Sequence, residues 1–352
     1  MAEREGRAYI GSFTSAGGRG ITTAAVDGRT GALTVLGSTD TVANPSYLAL
    51  AHATQRPARL YAVSEAEQGA VRSFALDEDG LPHPAGPPVP VGASGPTHLG
   101  LAGAWLLTAN YTSGSVSTLP VRPDGTLGAP ASVLAHRGSG PDPERQREPH
   151  AHQVLTDPTG RWVLSVDLGT DSVRICALDE ATGALGVHAQ AQLPPGNGPR
   201  HLAFHPAGEL VYVLNELRPL LTVCRWDAAA GSLEPVREVP VAPEAAPGAP
   251  RAYPSALVAS PDGRFLWAAV RGSDTIAVLA TADDPANPQL TATVGCGGRW
   301  PRDLALDPAG RRLYAANEHS GDVTWFEVDP LTGRPDRAGS VPVPAAGCVL
   351  FA

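Results

Sequence analysis

The feature that most constrains the fold of this chain is an internal repeat. Four stretches share one frame, in which a short apolar strand is followed by an x-Pro-x-Gly turn and a second apolar strand. The turns begin at Asp157, His205, Ser260 and Asp307, and looser copies begin at Ser46 and Thr97. A period of roughly 50 residues with short strands is typical of the blades of a β-propeller.

The rest of each unit supports this interpretation. A third apolar strand such as DSVRICAL or DVTWFEV follows, then a turn that contains Gly and Leu, then a fourth short strand. Strands this short, with turn signals every 8–12 residues, indicate antiparallel β-structure. The 10–15-residue helical pattern that would separate the strands of a parallel α/β fold does not occur between them.

The number of repeats and the two ends of the chain predict how the ring closes. First strands begin near residues 46, 97, 152, 200, 255 and 302. RAYIGSF, GITTAAVD and ALTVLGSTD correspond to strands two, three and four of a blade without a first strand, and the C-terminal GCVLFA is a strand without a partner. We therefore predict that residues 1–352 form one all-β domain, a seven-bladed β-propeller of four-stranded antiparallel blades. GCVLFA is the innermost strand of the N-terminal blade and leaves no open edge.

Composition excludes several classes of function. The chain contains no lysine, so all 26 basic residues are arginine, which excludes a Schiff-base lysine and a P-loop. The net charge of −9 argues against a nucleic-acid partner, since phosphate binding favours a basic surface. An anionic ligand would need a local cluster of arginines.

The sequence also gives expectations about location and assembly. MAEREGRAYIGSF lacks the apolar stretch of a signal peptide, and no run of 18 apolar residues could span a membrane. We expect a cytoplasmic protein without a cofactor, a monomer or weak homo-oligomer. The four cysteines lie far apart in the sequence, and we expect them to be buried reduced thiols: Cys176, Cys224, Cys296 and Cys348.

The repeat predicts which polar residues meet. In an antiparallel pair the start of strand one lies beside the end of strand two, so these positions of all blades face one mouth of the central channel. The starts are Ser46, Thr97, His152, Arg200, Ser255 and Arg302. The ends are Glu65, Tyr111, Leu168, Glu216, Arg271 and Glu318, and Asn110 and Asn317 precede two of them. This ring of charges is either self-neutralised and structural, or a pocket for a small anion with groups for proton transfer.

The lead-in to the fourth blade differs from the others. A polar stretch, AHRGSGPDPERQRE, precedes Pro149-His150-Ala151-His152 and is either a lid or a surface insertion. His150 and His152 could share a metal ion, but no further ligands are evident, so we predict no metal site. Asp167 either orients a neighbouring base or bonds the backbone. His98 and His201 occupy a repeated slot and are interpreted as turn or capping residues.

Three runs together resemble a known family. RQREPHAHQVLTDPTGRWVLSVDLGTDSV, NGPRHLAFHPAGELVYVLNEL and YPSALVASPDGRFLWAAVRGSDTI are similar to the seven-bladed lactonase family. That family includes propeller-type 6-phosphogluconolactonases and fungal-type 3-carboxy-cis,cis-muconate lactonizing enzymes. The resemblance implies an active site of His152, Arg200, Glu216 and Arg271. The chain departs from the family in having Val270, where an asparagine often precedes the second arginine.

The resemblance and the mouth positions together predict hydrolysis of a sugar lactone with an anionic group, most specifically 6-phosphogluconolactone to 6-phosphogluconate. His152 is the expected base, Arg200 and Arg271 hold the anion and the developing oxyanion, and Glu216 positions water or moves a proton. The roles of His152 and Glu216 could be exchanged. Further substrate contacts are predicted at His150, Asn110, Arg302 and Asn317. The alternatives are carboxymuconate lactonization, a non-catalytic binding scaffold, and a metal-dependent site like that of gluconolactonases.

Overall fold

A computed structural model describes residues 6–51, 58–244, 248 and 250–352. Within them the chain forms seven antiparallel sheets, and the innermost strand of each sheet contacts the innermost strands of its two neighbours in a closed ring. The predicted propeller is therefore confirmed. The beginning of the N-terminal stretch and parts of the segments after Ala51 and Glu244 lie outside the described residues.

Among the described residues, the seven blades, numbered from the N-terminus, contain 29 strands. Blade 1 contains β1 (Gly6–Ser12), β2 (Ile21–Val26) and β3 (Leu33–Thr39). Blade 2 contains β4 (Leu48–Ala51), β5 (Arg59–Ser64), β6 (Ala70–Leu76), β7 (Pro82–Pro84) and β8 (Val89–Pro90). Blade 3 contains β9 (Pro96–Ala102), β10 (Trp105–Asn110), β11 (Ser115–Pro120) and β12 (Ser132–Ala135). Blade 4 contains β13 (Ala151–Thr156), β14 (Val163–Asp167), β15 (Ser172–Leu178) and β16 (Leu185–Gln192).

The remaining blades continue the same order. Blade 5 contains β17 (Pro199–Phe204), β18 (Leu210–Asn215), β19 (Leu220–Asp227) and β20 (Ser232–Pro240). Blade 6 contains β21 (Tyr253–Ala259), β22 (Phe265–Arg271), β23 (Thr275–Ala280) and β24 (Gln289–Gly295). Blade 7 contains β25 (Pro301–Leu306), β26 (Arg312–Asn317), β27 (Asp322–Val328) and β28 (Pro335–Pro342), and β29 (Ala346–Phe351) ends the chain. Two short 3-10 helices span Thr14–Ala16 and Leu168–Thr170, and no helix of the described residues is long and apolar enough to cross a membrane.

The ring closes between the two ends of the chain. Strand β29 pairs antiparallel with β1, with Tyr9 opposite Leu350 and Ile10 opposite Val349, and it lies innermost in blade 1. It also contacts β25 and β4, the inner strands of the neighbouring blades. The prediction for GCVLFA is confirmed.

Blade 2 departs from the simple pattern at its outer edge. Its fourth strand is split into β7 and β8, and both pieces pair with β6. The split follows from five prolines between residues 82 and 90, since proline cannot donate to a strand ladder and is tolerated mainly at edges.

The core lies between the blades. The second strand β22 is buried on both faces, because its sheet is covered by a neighbour on either side, whereas the outer strand β24 alternates between exposed and half-buried residues. The interface of blades 4 and 5 is typical, with Leu164, Val166, Val211 and Val213 fully buried in one cluster. The chain has few aromatic residues, and aliphatic side chains therefore fill most of the core.

A hydrogen bond from an aromatic side chain crosses every interface between blades. One tyrosine or tryptophan, on or beside the second strand of each blade, donates to a backbone carbonyl near a turn of the next blade, at 2.7–3.0 Å. The seven donors are Tyr9, Tyr61, Trp105, Trp162, Tyr212, Trp267 and Tyr314. Tyr314 of blade 7 donates to Gly31 of blade 1, so this set of interblade bonds is itself closed.

Candidate active site at the mouth of the channel

A β-bulge at the start of the inner strands turns the mouth residues toward the axis. The pairing of strands one and two skips one residue in five blades, and the skipped residues are Gly347, Thr97, His152, Arg200 and Arg302. In blade 6 it skips Ser255 and its neighbour Ala256. A residue in a bulge has no partner in the ladder, and the bend re-aims its side chain. The bulges therefore explain why the positions derived from the repeat converge.

Glu216 is the centre of the charged cluster. Its Oε1 accepts a hydrogen bond from Arg145 at 2.7 Å, and its Oε2 lies 2.8 Å from a terminal nitrogen of Arg271 and 3.1 Å from Nε of Arg200. Burial alone would raise the pKa of Glu216, but Arg271, Arg200 and Arg145 outweigh it and lower that pKa to about 2. One carboxylate thus faces three guanidinium groups, which leaves an excess of positive charge.

Backbone carbonyls hold the two inner arginines. Arg271 donates to the carbonyls of Tyr253 at 3.2 Å and Pro254 at 3.3 Å, and Arg200 donates to the carbonyl of Ser255. Burial, followed by repulsion from Arg271, lowers the pKa of Arg200 to about 9. Both side chains are almost fully buried, so their guanidinium groups have fixed positions.

His152 lies beside this cluster and is neutral. Its Nδ1 is buried and makes no hydrogen bond with the described residues. Burial lowers the pKa of His152 well below 6.5, and repulsion by Arg200, Arg302 and Arg271 lowers it further. The imidazole borders a narrow cavity, which Arg200 and Arg302 also line. A buried basic nitrogen without a partner is available to a ligand.

His98 and His201 also lie in the channel. Both are in strands, and the His201 ring centroid lies 5.4 Å from that of His152 and 5.8 Å from that of His98. Their interpretation as turn or capping residues is therefore wrong. Tyr47 packs against His98 at 4.1 Å, and burial lowers the pKa of His98 to about 3. These neutral rings form a cluster with His152.

Arg302 belongs to a second charged group at the mouth. Its guanidinium lies 3.7 Å from Glu65 and 3.5 Å from Glu318, and it stands over the ring of Phe13 at 4.7 Å. Ser46 donates a hydrogen bond to Glu65. Two carboxylates share one arginine here, so this side of the mouth carries an excess of negative charge. The cluster around Glu216 carries an excess of positive charge.

His150 lies at the edge of the site. Its ring stacks on Tyr111 with centroids 4.4 Å apart, and its Nδ1 lies 2.9 Å from the carbonyl oxygen of Tyr111. The same tyrosine contacts His152, ring to ring, at 5.6 Å. His150 thus forms an aromatic wall with Tyr111. Within the part of the chain that the structure describes, no group of three or more His, Cys, Asp or Glu side chains could hold a metal ion.

The two predicted asparagines occupy a different place. The Asn110 amide donates to Ser115 and Ser117 at 3.1 and 2.9 Å, and that of Asn317 donates to Thr324 at 3.0 Å. Both side chains are fully buried and tie strand two to strand three. This corrects their expected position at the mouth, since the structure does not bring them to the charged cluster.

Asp167 accepts hydrogen bonds that anchor the segment before blade 4. Its Oδ2 lies 2.6 Å from Nδ1 of His136 and 2.9 Å from Arg174, and its Oδ1 accepts the backbone N–H groups of His150 and Thr170. It orients His136 rather than the candidate base His152. Ser165 lies 3.5 Å from the other ring nitrogen of His136, but the His136 and Asp167 side chains are 0% exposed, so a substrate cannot reach them.

Trp300 has an unusual backbone conformation beside the site. Its φ is 63°, close to the 62° of Gly95 and 60° of Gly198, which hold the equivalent place before strand one in blades 3 and 5. A bulky side chain in this left-handed region is strained. Its ring stacks on His319 at 4.7 Å and lies 5.4 Å from the guanidinium carbon of Arg271. Trp300 therefore forms an aromatic wall next to Arg271.

Larger cavities lie away from this cluster. One with a volume of about 430 Å³ borders the x-Pro-x-Gly turns of blades 6 and 7, between Asp262 and Arg311. These turns are at the opposite end of the strands from the mouth. The residues that line this cavity include no histidine or cysteine, so the candidate chemistry is at the narrower mouth.

Comparison with known proteins agrees with this architecture. The family profile described as "Lactonase, 7-bladed beta-propeller" matches residues 7–351. The chain is 33% identical over 352 residues to the 6-phosphogluconolactonase of Bacillus subtilis, covering 97% of each protein, and 32% identical over 267 residues to that of Pectobacterium carotovorum, covering 75% of each. The solved structure of the periplasmic gluconolactonase of Pseudomonas aeruginosa superposes with a TM-score of 0.91 at 28% identity, covering 99% of each chain. The matches extend over the strands that carry the charged cluster.

Proposed function

The chain belongs to the seven-bladed β-propeller lactonase family, and on this premise we propose that it hydrolyses a sugar lactone bearing an anionic group, with 6-phosphogluconolactone as the substrate. The observation that carries the proposal is the carboxylate of Glu216 shared by three arginines beside the neutral His152. Their excess positive charge suits a ligand with a carboxylate or phosphate. Relatives named 6-phosphogluconolactonase support the choice of substrate.

In the proposed reaction, His152 is the general base. Water attacks the lactone carbonyl while its proton passes to the imidazole, and the bond from the carbonyl carbon to the ring oxygen then breaks. The proton returns from His152 to the leaving ring oxygen. Arg200 and Arg271 donate to the developing oxyanion, an interaction worth about 3–4 kcal/mol for one donor in well-studied sites.

The surroundings of Glu216 favour His152 over it as the base. Three guanidinium groups occupy both oxygens of Glu216 and hold its pKa near 2, whereas Nδ1 of His152 has no partner among the described residues. Glu216 instead keeps the arginines in place. An anionic substrate would offset the repulsion that Arg200, Arg302 and Arg271 exert on protonated His152, which would make His152 more basic when substrate is bound.

A direct assay tests the function. Freshly prepared 6-phosphogluconolactone is followed by the acid released at constant pH, with the rate of spontaneous opening subtracted. We expect kcat/KM above about 10⁴ M⁻¹s⁻¹, the lower end of the ordinary enzymatic range. Carboxymuconate lactonization is assayed in parallel. Turnover of the muconate alone, or of neither compound, would overturn the proposal.

Trp300 gives a second prediction. Trp300→Gly removes strain worth about 1–2 kcal/mol and also the aromatic wall beside Arg271. We expect kcat/KM for the lactone to fall about tenfold, because a desolvated cation–π contact is worth up to about 2 kcal/mol. The melting temperature should change little, and Trp300→Phe should restore most of the activity.

Ala345→Gly is the matched control. Ala345 has a φ of 52° and holds the same place before strand one in blade 1. The substitution relieves similar strain but removes no aromatic ring. We expect unchanged kinetics. Equal loss of activity in Ala345→Gly and Trp300→Gly would show that backbone conformation, not the indole, is responsible.

A further inference from the structure

Arg145 reaches the charged cluster from outside the repeat. It lies between blades 3 and 4, in the polar segment 136–149, and one terminal nitrogen donates to Oε1 of Glu216 at 2.7 Å and to the hydroxyl of Tyr111 at 3.0 Å. Its side chain is 35% exposed, whereas those of Arg200 and Arg271 are 3% and 8% exposed. Arg145 is therefore the outermost of the three arginines on Glu216.

The segment holds Arg145 firmly. Gln146 is fully buried, and its amide donates to the carbonyl of Leu168 and to Asp171, both at 2.8 Å. Asp142 accepts the backbone N–H groups of Glu144 and Arg145 at 2.9 and 3.0 Å. His136 is anchored at the start of the segment by Asp167. The guanidinium is thus positioned in advance rather than carried on a loose arm.

The donors of the three arginines are used differently. Arg200 and Arg271 donate hydrogen bonds to backbone carbonyls. The Nε and second terminal nitrogen of Arg145 make no hydrogen bond to any residue that the structure describes. These free donors belong to a guanidinium whose side chain is partly exposed, and they can bind an oxygen of a phosphate or carboxylate with charge-assisted hydrogen bonds.

We propose that Arg145 recognises the anionic substituent of the substrate and gives the protein its preference for charged over neutral lactones. This inference rests on the proposed function. The lactone carbonyl meets the buried Arg200 and Arg271 next to His152, and the phosphate, at the far end of the sugar, meets Arg145 at the outer edge. Arg145 is in this sense a specificity residue, separate from the groups that act on the carbonyl.

The test compares two substrates in one variant. For Arg145→Gln we expect kcat/KM for 6-phosphogluconolactone to fall about 10- to 100-fold, the range for loss of a hydrogen bond between charged groups. With the unphosphorylated glucono-1,5-lactone it should change less than about threefold. Arg147→Gln is the matched control from the same segment, since Arg147 is exposed and its Nε donates to the carbonyl of Pro143. It should leave both substrates unaffected. Equal losses with both substrates in Arg145→Gln would overturn the proposal, since Arg145 would then act through Glu216.

Binding separates this inference from the proposed function. Calorimetry with 6-phosphogluconate measures anion recognition without turnover. We expect binding to weaken about 10-fold or more in Arg145→Gln and to persist in Arg147→Gln. An inactive parent protein that still binds 6-phosphogluconate through Arg145 would refute the lactonase assignment and support the anion site. Unchanged binding in Arg145→Gln would refute the anion site alone, whatever the activity.

Discussion

His152→Asn lowers kcat for the proposed lactone hydrolysis by a factor of about 10² to 10⁴, the usual contribution of a positioned general base. Asparagine keeps a polar side chain of similar reach but cannot accept the proton of water. The parent's pH profile of kcat/KM should rise through a pKa well below 6.5 and be flat at neutral pH, because burial and the arginines keep free His152 deprotonated there. The variant should lack this acid limb.

A matched histidine substitution shows whether the loss is specific. His83→Asn changes an imidazole that is 63% exposed on the outer edge of blade 2. Its kinetics should equal those of the parent, and thermal unfolding should show that both variants fold. Full activity in folded His152→Asn, or an acid limb that it retains, would rule out His152 as the base.

Removing residues 346–352 lowers the melting temperature by about 10 °C or more, or prevents folding. The deletion leaves β1 as an unpaired edge and removes the buried side chains of Ala346, Cys348 and Val349. Their burial and the lost ladder of hydrogen bonds correspond to about 5 kcal/mol or more, which for a protein of this size is a shift of this order. Asp303 also loses the backbone N–H of Val349.

Thermal unfolding followed by circular dichroism measures this effect. Ala352→Gly is the control, since that residue is exposed, follows the end of β29 and keeps the backbone N–H that donates to the carbonyl of Arg7. Its melting temperature should match that of the full chain. A deletion of 346–352 that unfolds at the parent's temperature would mean that ring closure contributes little to stability.

The repeat was sufficient to predict the architecture, because each blade must bury both faces and the pattern of short apolar strands recurs with every blade. It also placed His152, Arg200, Glu216 and Arg271 at one end of the strands. The bulges that aim the first two toward the axis have no signature in an apolar strand pattern. For the same reason His98 and His201 were assigned to the wrong surroundings.

Arg145 could not be found from the repeat, since it lies in a segment that no other blade contains. The sequence did contain a signal for the position of the asparagines inside the blades. Asn110, Asn215 and Asn317 each bond a hydroxyl residue seven positions later: Ser117, Thr222 and Thr324. Val270, which departs from the family pattern, holds the same place, with Ala277 seven positions on. It therefore replaces a hydrogen bond inside blade 6, not a contact at the mouth.

The aromatic hydrogen bonds between blades also give the molecule internal optical reporters. Trp105, Trp162 and Trp267 donate across the interfaces of blades 3 and 4, 4 and 5, and 6 and 7. All three indoles are buried and would meet water as soon as the neighbouring blades part. Half of the six tryptophans thus sit at three of the seven joints, where their fluorescence would register separation of the blades before the strands themselves melt.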